Sequence, residues 1–383
     1  MKIVIAIDSF KGSLETLESG NAVAEGIRAV YPDAEIDICP LADGGEGTVR
    51  AVVAALGGEL CRVKVTGPLG EAVDAEYGIV TEKKLAVIEM SAAAGITLVP
   101  QEKRDPRYTT TRGVGELILD AIDKGCRSFI VGIGGSATND GGVGMLKALG
   151  YDFLDGEGRE IPDGAIGLSS LCKIRLDRAD KRLAECDFRV ACDVSNPLCG
   201  ELGCSKIYGP QKGADEKMIA EMDAWLSDYA AMTKTVNAEA DEGFPGVGAA
   251  GGMGFALQYY LGATLSSGIG LVIDATSLEE KIKNSDVVIT GEGRLDAQSA
   301  MGKAPVGVAR LAKKYGKRVI AFAGAVSDDA AECNKQGIDA FFPILRAPCT
   351  LDEAMDKQNA YKNLKNTAEQ VFRIINVCDN ERK

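Results

Sequence analysis

An α/β fold in two domains is what this sequence predicts, on three observations. The chain has 383 residues, more than one hydrophobic core usually serves. Near both ends, short β-branched apolar runs alternate with amphipathic helical stretches, the rhythm of a parallel sheet with helices on its faces. Between them come runs joined by Gly/Pro turns, which suit antiparallel hairpins. The expected architecture is a Rossmann/flavodoxin-like doubly wound parallel sheet with a second α/β domain inserted into it. Residues 1–60 and 281–383 would form the Rossmann-like domain and residues 61–280 the inserted one.

The elements follow in order. "KIVIAID" ends an apolar run in a polar turn, as a buried parallel strand does. A helix is expected over 14–30, with Ser13 as its N-cap and Glu15 in the first turn. "AEIDICPL" reads as the second strand, and "GEGTVRAVVAALGG" as a helix closed by Gly57 and Gly58. "LCRVKVTGPLGEAVDAEYGIV" and "KKLAVIEM" read as hairpin strands of the inserted domain. "GVGELILDAIDKGCRSFIVGIGG" is a helix–strand unit, and the pattern leaves open which sheet takes residues 111–149. "DVVITGEG", "RVIAFAG" and "DAFFPIL" resume the parallel strands, with a helix starting at Pro305 and a long final helix after Thr350.

Composition narrows the function. A net charge of −13 argues against nucleic acid, whose phosphates demand Lys/Arg patches. It leaves room for an anionic small ligand, since lysines and helix N-termini can reverse the field inside a cleft. There is no histidine, so acid–base work falls to Asp, Glu, Lys, Tyr or Cys, and a His-containing triad is excluded. The 11 cysteines show no CxxC pairing and read as reduced thiols of a cytoplasmic protein. No apolar run reaches membrane-spanning length, and Asp8 comes too early for a signal peptide.

The chemistry gathers in glycine-rich segments. "GIGGSATNDGG" (132–142) follows the strand "SFIV", and Gly132, Gly134 and Ala137 match the dinucleotide pattern G-x-G-x-x-[GA], with Asp152 about 20 residues on. That pattern should open a helix, yet "TNDGGVG" brings further glycines, each costing a helix roughly 1 kcal/mol. A helix is expected only from Val143. The better reading is an anion-holding loop in which backbone N–H groups of Gly134 and Gly135 stand beside Ser136, Thr138 and Asn139. Companion segments strengthen it. "IDSFKGSL" sets Asp8, Ser9 and Lys11 at a strand end, and "PLADGGEGT" places Asp43 before a helix start. "TGEGRLDAQSAMGK" carries Glu292, Arg294, Asp296, Ser299 and Lys303. "VACDVSNPLCG" ends a strand at Asp193, and "KIYGPQKGAD" follows with Lys206 and Lys212. A carboxylate near two lysines suits a general base or metal ligand beside an anionic substrate. No Walker A motif is present, and phosphoryl transfer by positioning, charge neutralisation and a metal fits this inventory.

With "GAAGGMGFAL" added, seven of these motifs stand in the order and approximate spacing of the type 1 glycerate kinases, spanning residues 8 to 303. The chain resembles that family over effectively its whole length. It departs mildly, with Ile7 where proline is frequent, Cys204 where alanine is common and Ser299 in place of threonine. The resemblance implies ATP- and Mg2+-dependent phosphorylation of D-glycerate, favouring 2-phosphoglycerate over 3-phosphoglycerate, in a cleft between the two domains.

On that basis Asp193 is expected nearest the attacking hydroxyl, while Lys11 and Lys303 neutralise phosphate. The loop from Gly134 to Asn139 would hold phosphate or carboxylate oxygens. Asp43, Asp296 and Glu292 would be the carboxylates for Mg2+, with Asp43 also in the catalytic set. Arg294, Lys206 and Lys212 compete for the substrate carboxylate, and Asp8, Ser9 and Ser299 complete the binding set. The partners are small molecules, D-glycerate and ATP, with no nucleic acid or membrane, for a monomer or homodimer. A nicotinamide-dependent hydroxyacid dehydrogenase is the rival enzyme, but it normally wants a proton-transfer histidine. A non-catalytic acid sensor would not need so many carboxylates beside lysines.

Overall fold

The computed structural model describes residues 1–42, 45 and 47–381. Its strands, in chain order, are β1 (Lys2–Ile7), β2 (Glu35–Ile38), β3 (Glu59–Thr66), β4 (Ala72–Val80), β5 (Leu85–Glu89), β6 (Ser128–Gly132), β7 (Asp152–Leu154), β8 (Lys173–Arg175), β9 (Asp187–Ala191), β10 (Thr264–Ser266), β11 (Val287–Leu295), β12 (Arg318–Val326) and β13 (Ala340–Pro343). The chain divides into a first unit, Met1–Asp43, Ala54–Leu56 and Val272–Lys383, and a second, Gly44–Val53 and Gly57–Leu271.

The first unit holds a five-stranded sheet in the order β13-β12-β11-β1-β2, every neighbouring pair parallel. Counted within the unit, that is the 2-1-3-4-5 order of flavodoxin-like sheets. Ile3, Val4 and Ile5 are all fully buried, so both faces of β1 are covered, which is why the run reads as continuously apolar. Val287, Ile289, Phe322 and, from the C-terminal helix, Leu364 and Phe372 complete this core.

Two local expectations are corrected here. The first helix spans Thr16–Arg28 and Glu15 is its N-cap, not Ser13. The Ser13 hydroxyl instead donates to the Phe10 carbonyl at 2.9 Å, closing a tight turn, and the Glu15 N–H donates to Glu18 at 3.1 Å. The long final helix is two helices, Leu351–Met355 and Lys357–Glu381. Asp356 between them has extended backbone, and its carboxylate accepts from the Asn359 N–H at 2.9 Å, restarting the helix.

The second unit holds a six-stranded sheet, β10-β9-β6-β5-β4-β3. β3–β4 and β4–β5 pair antiparallel, as the hairpin texture implies, while β5, β6, β9 and β10 run parallel. The helix Arg112–Asp123 and β6 therefore belong to this unit. Its core gathers Tyr77, Leu117, Phe129, Phe188 and Met253, with Phe129 and Phe188 stacked at 4.6 Å. Among the described residues, no helix is long and apolar enough to cross a membrane.

Candidate active site

The parallel register aligns the strand ends of the second unit. Glu89 pairs with Gly132, and Gly132 with Ala191, so the chain leaves β5, β6 and β9 at one edge of the sheet. Carboxyl ends of parallel strands are where open α/β sheets take ligands. Asp193 is exposed there, and one of its carboxylate oxygens accepts from the Gly268 N–H at 3.1 Å. Glu89 accepts from the Val49 N–H at 2.8 Å, at the start of the helix Thr48–Leu56. The two glycine-rich segments also meet, since a Cβ added to Gly134 would lie 3.4 Å from the Gly45 Cα.

The loop after β6 is held almost atom by atom. Gly134 and Gly135 are exposed, whereas Ser136 to Asp140 are buried. The Ile96 N–H donates to the Gly135 carbonyl at 2.9 Å, the Ala137 N–H to the Ala94 carbonyl at 2.9 Å, and the Thr109 hydroxyl to the Ala137 carbonyl at 2.9 Å. The Asp140 carboxylate accepts from the Thr111 N–H and hydroxyl at 2.9 and 2.8 Å and from the Gly142 and Gly144 N–H groups at 3.1 and 3.2 Å. Burial pushes its pKa up against the pull of those donors. Gly141 and Gly142 take φ of 64° and 75°, a left-handed turn that delays the next helix to Val143. That turn removes the close helix start a dinucleotide fingerprint requires.

Behind the loop lies an unusual backbone. Ala250, Gly251 and Gly252 take φ of 55°, 68° and 90° in succession. The Gly141 N–H donates to the Gly251 carbonyl at 2.9 Å, and a Cβ on Gly251 would meet the Thr138 carbonyl oxygen at 2.1 Å. The Asn139 amide nitrogen donates to the Ser205 hydroxyl at 2.8 Å. The Thr138 hydroxyl and the Asn139 side-chain carbonyl are buried without a hydrogen-bond partner among the described residues. Such orphans are costly, and a bound polar group or water would satisfy them.

In the first unit, the order reverses between β1 and β11, the switch point at which flavodoxin-like sheets bind their ligand. Asp8 is buried there, its N–H donating to the Gly291 carbonyl at 3.0 Å and its carboxylate accepting from the Ser9 N–H at 2.6 Å. A Cβ on Gly293 would lie 3.3 Å from the Lys11 backbone nitrogen, so the loop after β1 abuts β11. The Ser299 hydroxyl donates to Glu292, and burial raises the Glu292 carboxyl while Ser299, Lys303 and Lys11 pull it back. Asp296 caps the turn Ala297–Ala300, accepting from the Gln298 and Ser299 N–H groups at 2.9 and 3.1 Å. Arg294 is exposed, 3.7 Å from Asp296, and the Lys303 ammonium donates to Gln298 at 3.3 Å.

Most of the expected residues thus gather at strand ends, Asp193 and the glycine-rich loop in one unit, Asp8, Ser9, Lys11, Glu292, Asp296, Ser299 and Lys303 in the other. Asp43 lies outside the described residues. Lys206 is exposed on the helix Cys204–Tyr208. Lys212 lies inside the protein instead, 2% exposed, its ammonium donating to the Thr138 carbonyl at 2.6 Å. Burial lowers its pKa to about 8, with Cys204 and Asp140 opposing. Sequence reasoning passed over Glu89, Thr109, Thr111, Ser205 and the structural part of Asp140. Only the run "TTT" at 109–111 gave a signal, as small hydroxyls before a helix. Among the described residues no three His, Cys, Asp or Glu side chains form a metal-binding group.

Comparison with known proteins meets this geometry from another side. The family model described as "Glycerate kinase family" matches residues 3–376. Glycerate 2-kinase of Escherichia coli K12 is 53% identical over 364 residues, covering 95% of each chain. Glycerate kinase of Haemophilus influenzae is 48% identical, covering 98% of this chain and 99% of its own. A crystal structure from Salmonella typhimurium LT2, described as a glycerate kinase 2, superposes with a TM-score of 0.92 at 47% identity, covering 99% of both chains. A match along nearly the full length, with both strand-end clusters inside it, leaves one conclusion: this chain belongs to the glycerate kinase family.

Proposed function

We propose that the protein transfers the γ-phosphoryl group of ATP to D-glycerate, forming 2-phosphoglycerate. The observation that carries the reading is the loop after β6. Its exposed glycines and the orphaned buried Thr138 hydroxyl, a donor, fit an anionic oxygen, in a chain that belongs to the glycerate kinase family.

Asp193 is the group we assign to the attacking hydroxyl. Its carboxylate accepts from the Gly268 N–H at the exposed edge after β9, and a carboxylate there would orient the hydroxyl and take its proton. The loop from Gly134 to Asn139 binds phosphate or carboxylate oxygens through N–H groups and hydroxyls. Lys11 and Lys303 both pull the Glu292 carboxyl down against its burial, which supports a part for the two cations in the first unit. They would offset charge on the polyphosphate, with Ser9 and Ser299 as hydrogen-bond groups. Mg2+ fits this set, because it binds kinase sites through one or two carboxylates plus substrate phosphates. Asp296 and Glu292 would hold it, with Asp43 a further candidate, and when bound it would screen the phosphate oxygens. Glycerate's carboxylate is assigned to Arg294 or Lys206, both exposed cations, in preference to Lys212, whose ammonium is engaged by the Thr138 carbonyl.

A coupled ADP-release assay with D-glycerate tests the reading, with the product identified by phosphorus NMR. Steady ADP release with a 2-phosphoglycerate signal is expected. A 3-phosphoglycerate signal would overturn the regiochemistry, and no ADP release above the glycerate-free control would overturn the activity.

A further inference from the structure

Lys212 has no evident business inside the protein. An ammonium loses hydration on burial that a single carbonyl only partly replaces. Among the described residues no carboxylate lies within ion-pair distance of it. The titratable groups that face it are Asp140, from the glycine-rich loop, and Cys204, from the helix Cys204–Tyr208. Burial pushes the Cys204 thiol up to about 12, so it stays neutral, and Asp140 is already engaged by four donors.

What Lys212 grips is one peptide group. Its ammonium holds the Thr138 carbonyl at 2.6 Å, and Gly251 closes on the same oxygen so tightly that a Cβ would sit 2.1 Å away. No peptide bond among the described residues is cis, so the Thr138 carbonyl and the Asn139 N–H point to opposite sides of their plane. Drawing the carbonyl toward Lys212 turns the Asn139 N–H away from it. The orphaned Thr138 hydroxyl and Asn139 carbonyl belong to the two residues this peptide joins.

We propose that Lys212 is a positioning residue: it touches no ligand, and through the Thr138–Asn139 peptide it sets how well the loop Gly134–Asn139 holds an anion. The proposal rests on reading that loop as the anion wall of the site. Its charge matters as well as its bulk, because a charged donor grips a carbonyl about twice as strongly as a neutral one. With its pKa lowered to about 8, that charge leaves in a pH range where the exposed lysines keep theirs.

Two readouts test it on the intact protein. First, amide NMR of the wild type across the alkaline range should show the Thr138 and Asn139 signals moving with a midpoint near 8, and the movement should be absent in Lys212→Met. Second, KM for D-glycerate or ATP should rise through the same range in the wild type. Lys212→Met should raise it roughly tenfold or more at neutral pH, the worth of one charged hydrogen bond, with a smaller change in kcat. Lys212→Arg, still cationic, should restore part of the neutral-pH affinity and remove the alkaline loss. Should neither variant fold, the wild-type signals decide alone. Amide signals flat across that range, or Lys212→Met with wild-type KM, overturn the proposal. Titrating amides in a protein that does not phosphorylate D-glycerate would support the positioning and overturn the proposed function instead.

Discussion

Asp193 and Asp140 lie in the loops that follow neighbouring strands, in opposite surroundings, one exposed and one wholly buried. The difference separates chemistry from scaffolding. Asp193→Asn should lower kcat by roughly 10²–10⁴, the usual worth of a general base, while leaving the urea unfolding midpoint unchanged. Asp140→Asn should do the reverse in kind. An amide nitrogen would face donors that the carboxylate now accepts from, costing about 3 kcal/mol of stability by urea titration. A stability loss under 1 kcal/mol would mean the loop rearranges to spare those donors. Residue types at strand ends were legible in the sequence, because carboxylates and lysines after apolar runs are rare enough to notice. Their burial was not. Lys212 in "GPQKGAD" reads as a candidate for the substrate carboxylate, and the Thr138 carbonyl that takes its ammonium inside lies far off in sequence.

At the level of elements, the loop after β6 and the segment Ala250–Gly252 form one interlocked piece. Ala250 is the non-glycine member of a left-handed run, a conformation that costs an L-residue roughly 1–2 kcal/mol. Ala250→Gly should therefore raise stability by about 0.5–1 kcal/mol after the entropy glycine adds to the unfolded chain. Gly251→Ala should lose about 3 kcal/mol and weaken substrate binding together, since its Cβ would press on the Thr138 carbonyl. Thermal unfolding and KM measured on the same preparations check both. "GAAGG" carried a glycine signal, but nothing local says that three consecutive residues adopt positive φ. The strands and hairpins, by contrast, follow from alternation and turn residues that act within a few positions. The split of the final helix at Asp356 lies between these cases, an Asp cap hidden in a strongly helical stretch.

For the molecule as a whole, Lys212 links stability to pH with a definite sign. Unfolded, the lysine keeps its proton to 10.5; folded, it releases it at about 8. Between those values the unfolded state binds more protons, so this group adds stability as pH rises through the window and none below it. Denaturant midpoints rising above pH 8 in the wild type and flatter in Lys212→Met are expected. The strand order of the first unit has a consequence for synthesis. β1 lies at the centre of its sheet, yet its partner β11 begins at Val287, long after β2 ends at Ile38. A ribosome needs roughly 10–50 s to cover that interval at bacterial-type elongation rates. All six strands of the second unit's main sheet emerge within it. The nascent chain therefore carries an unclosed N-terminal ribbon while its middle matures, and protease digestion of stalled chains should find residues 57–271 resistant first.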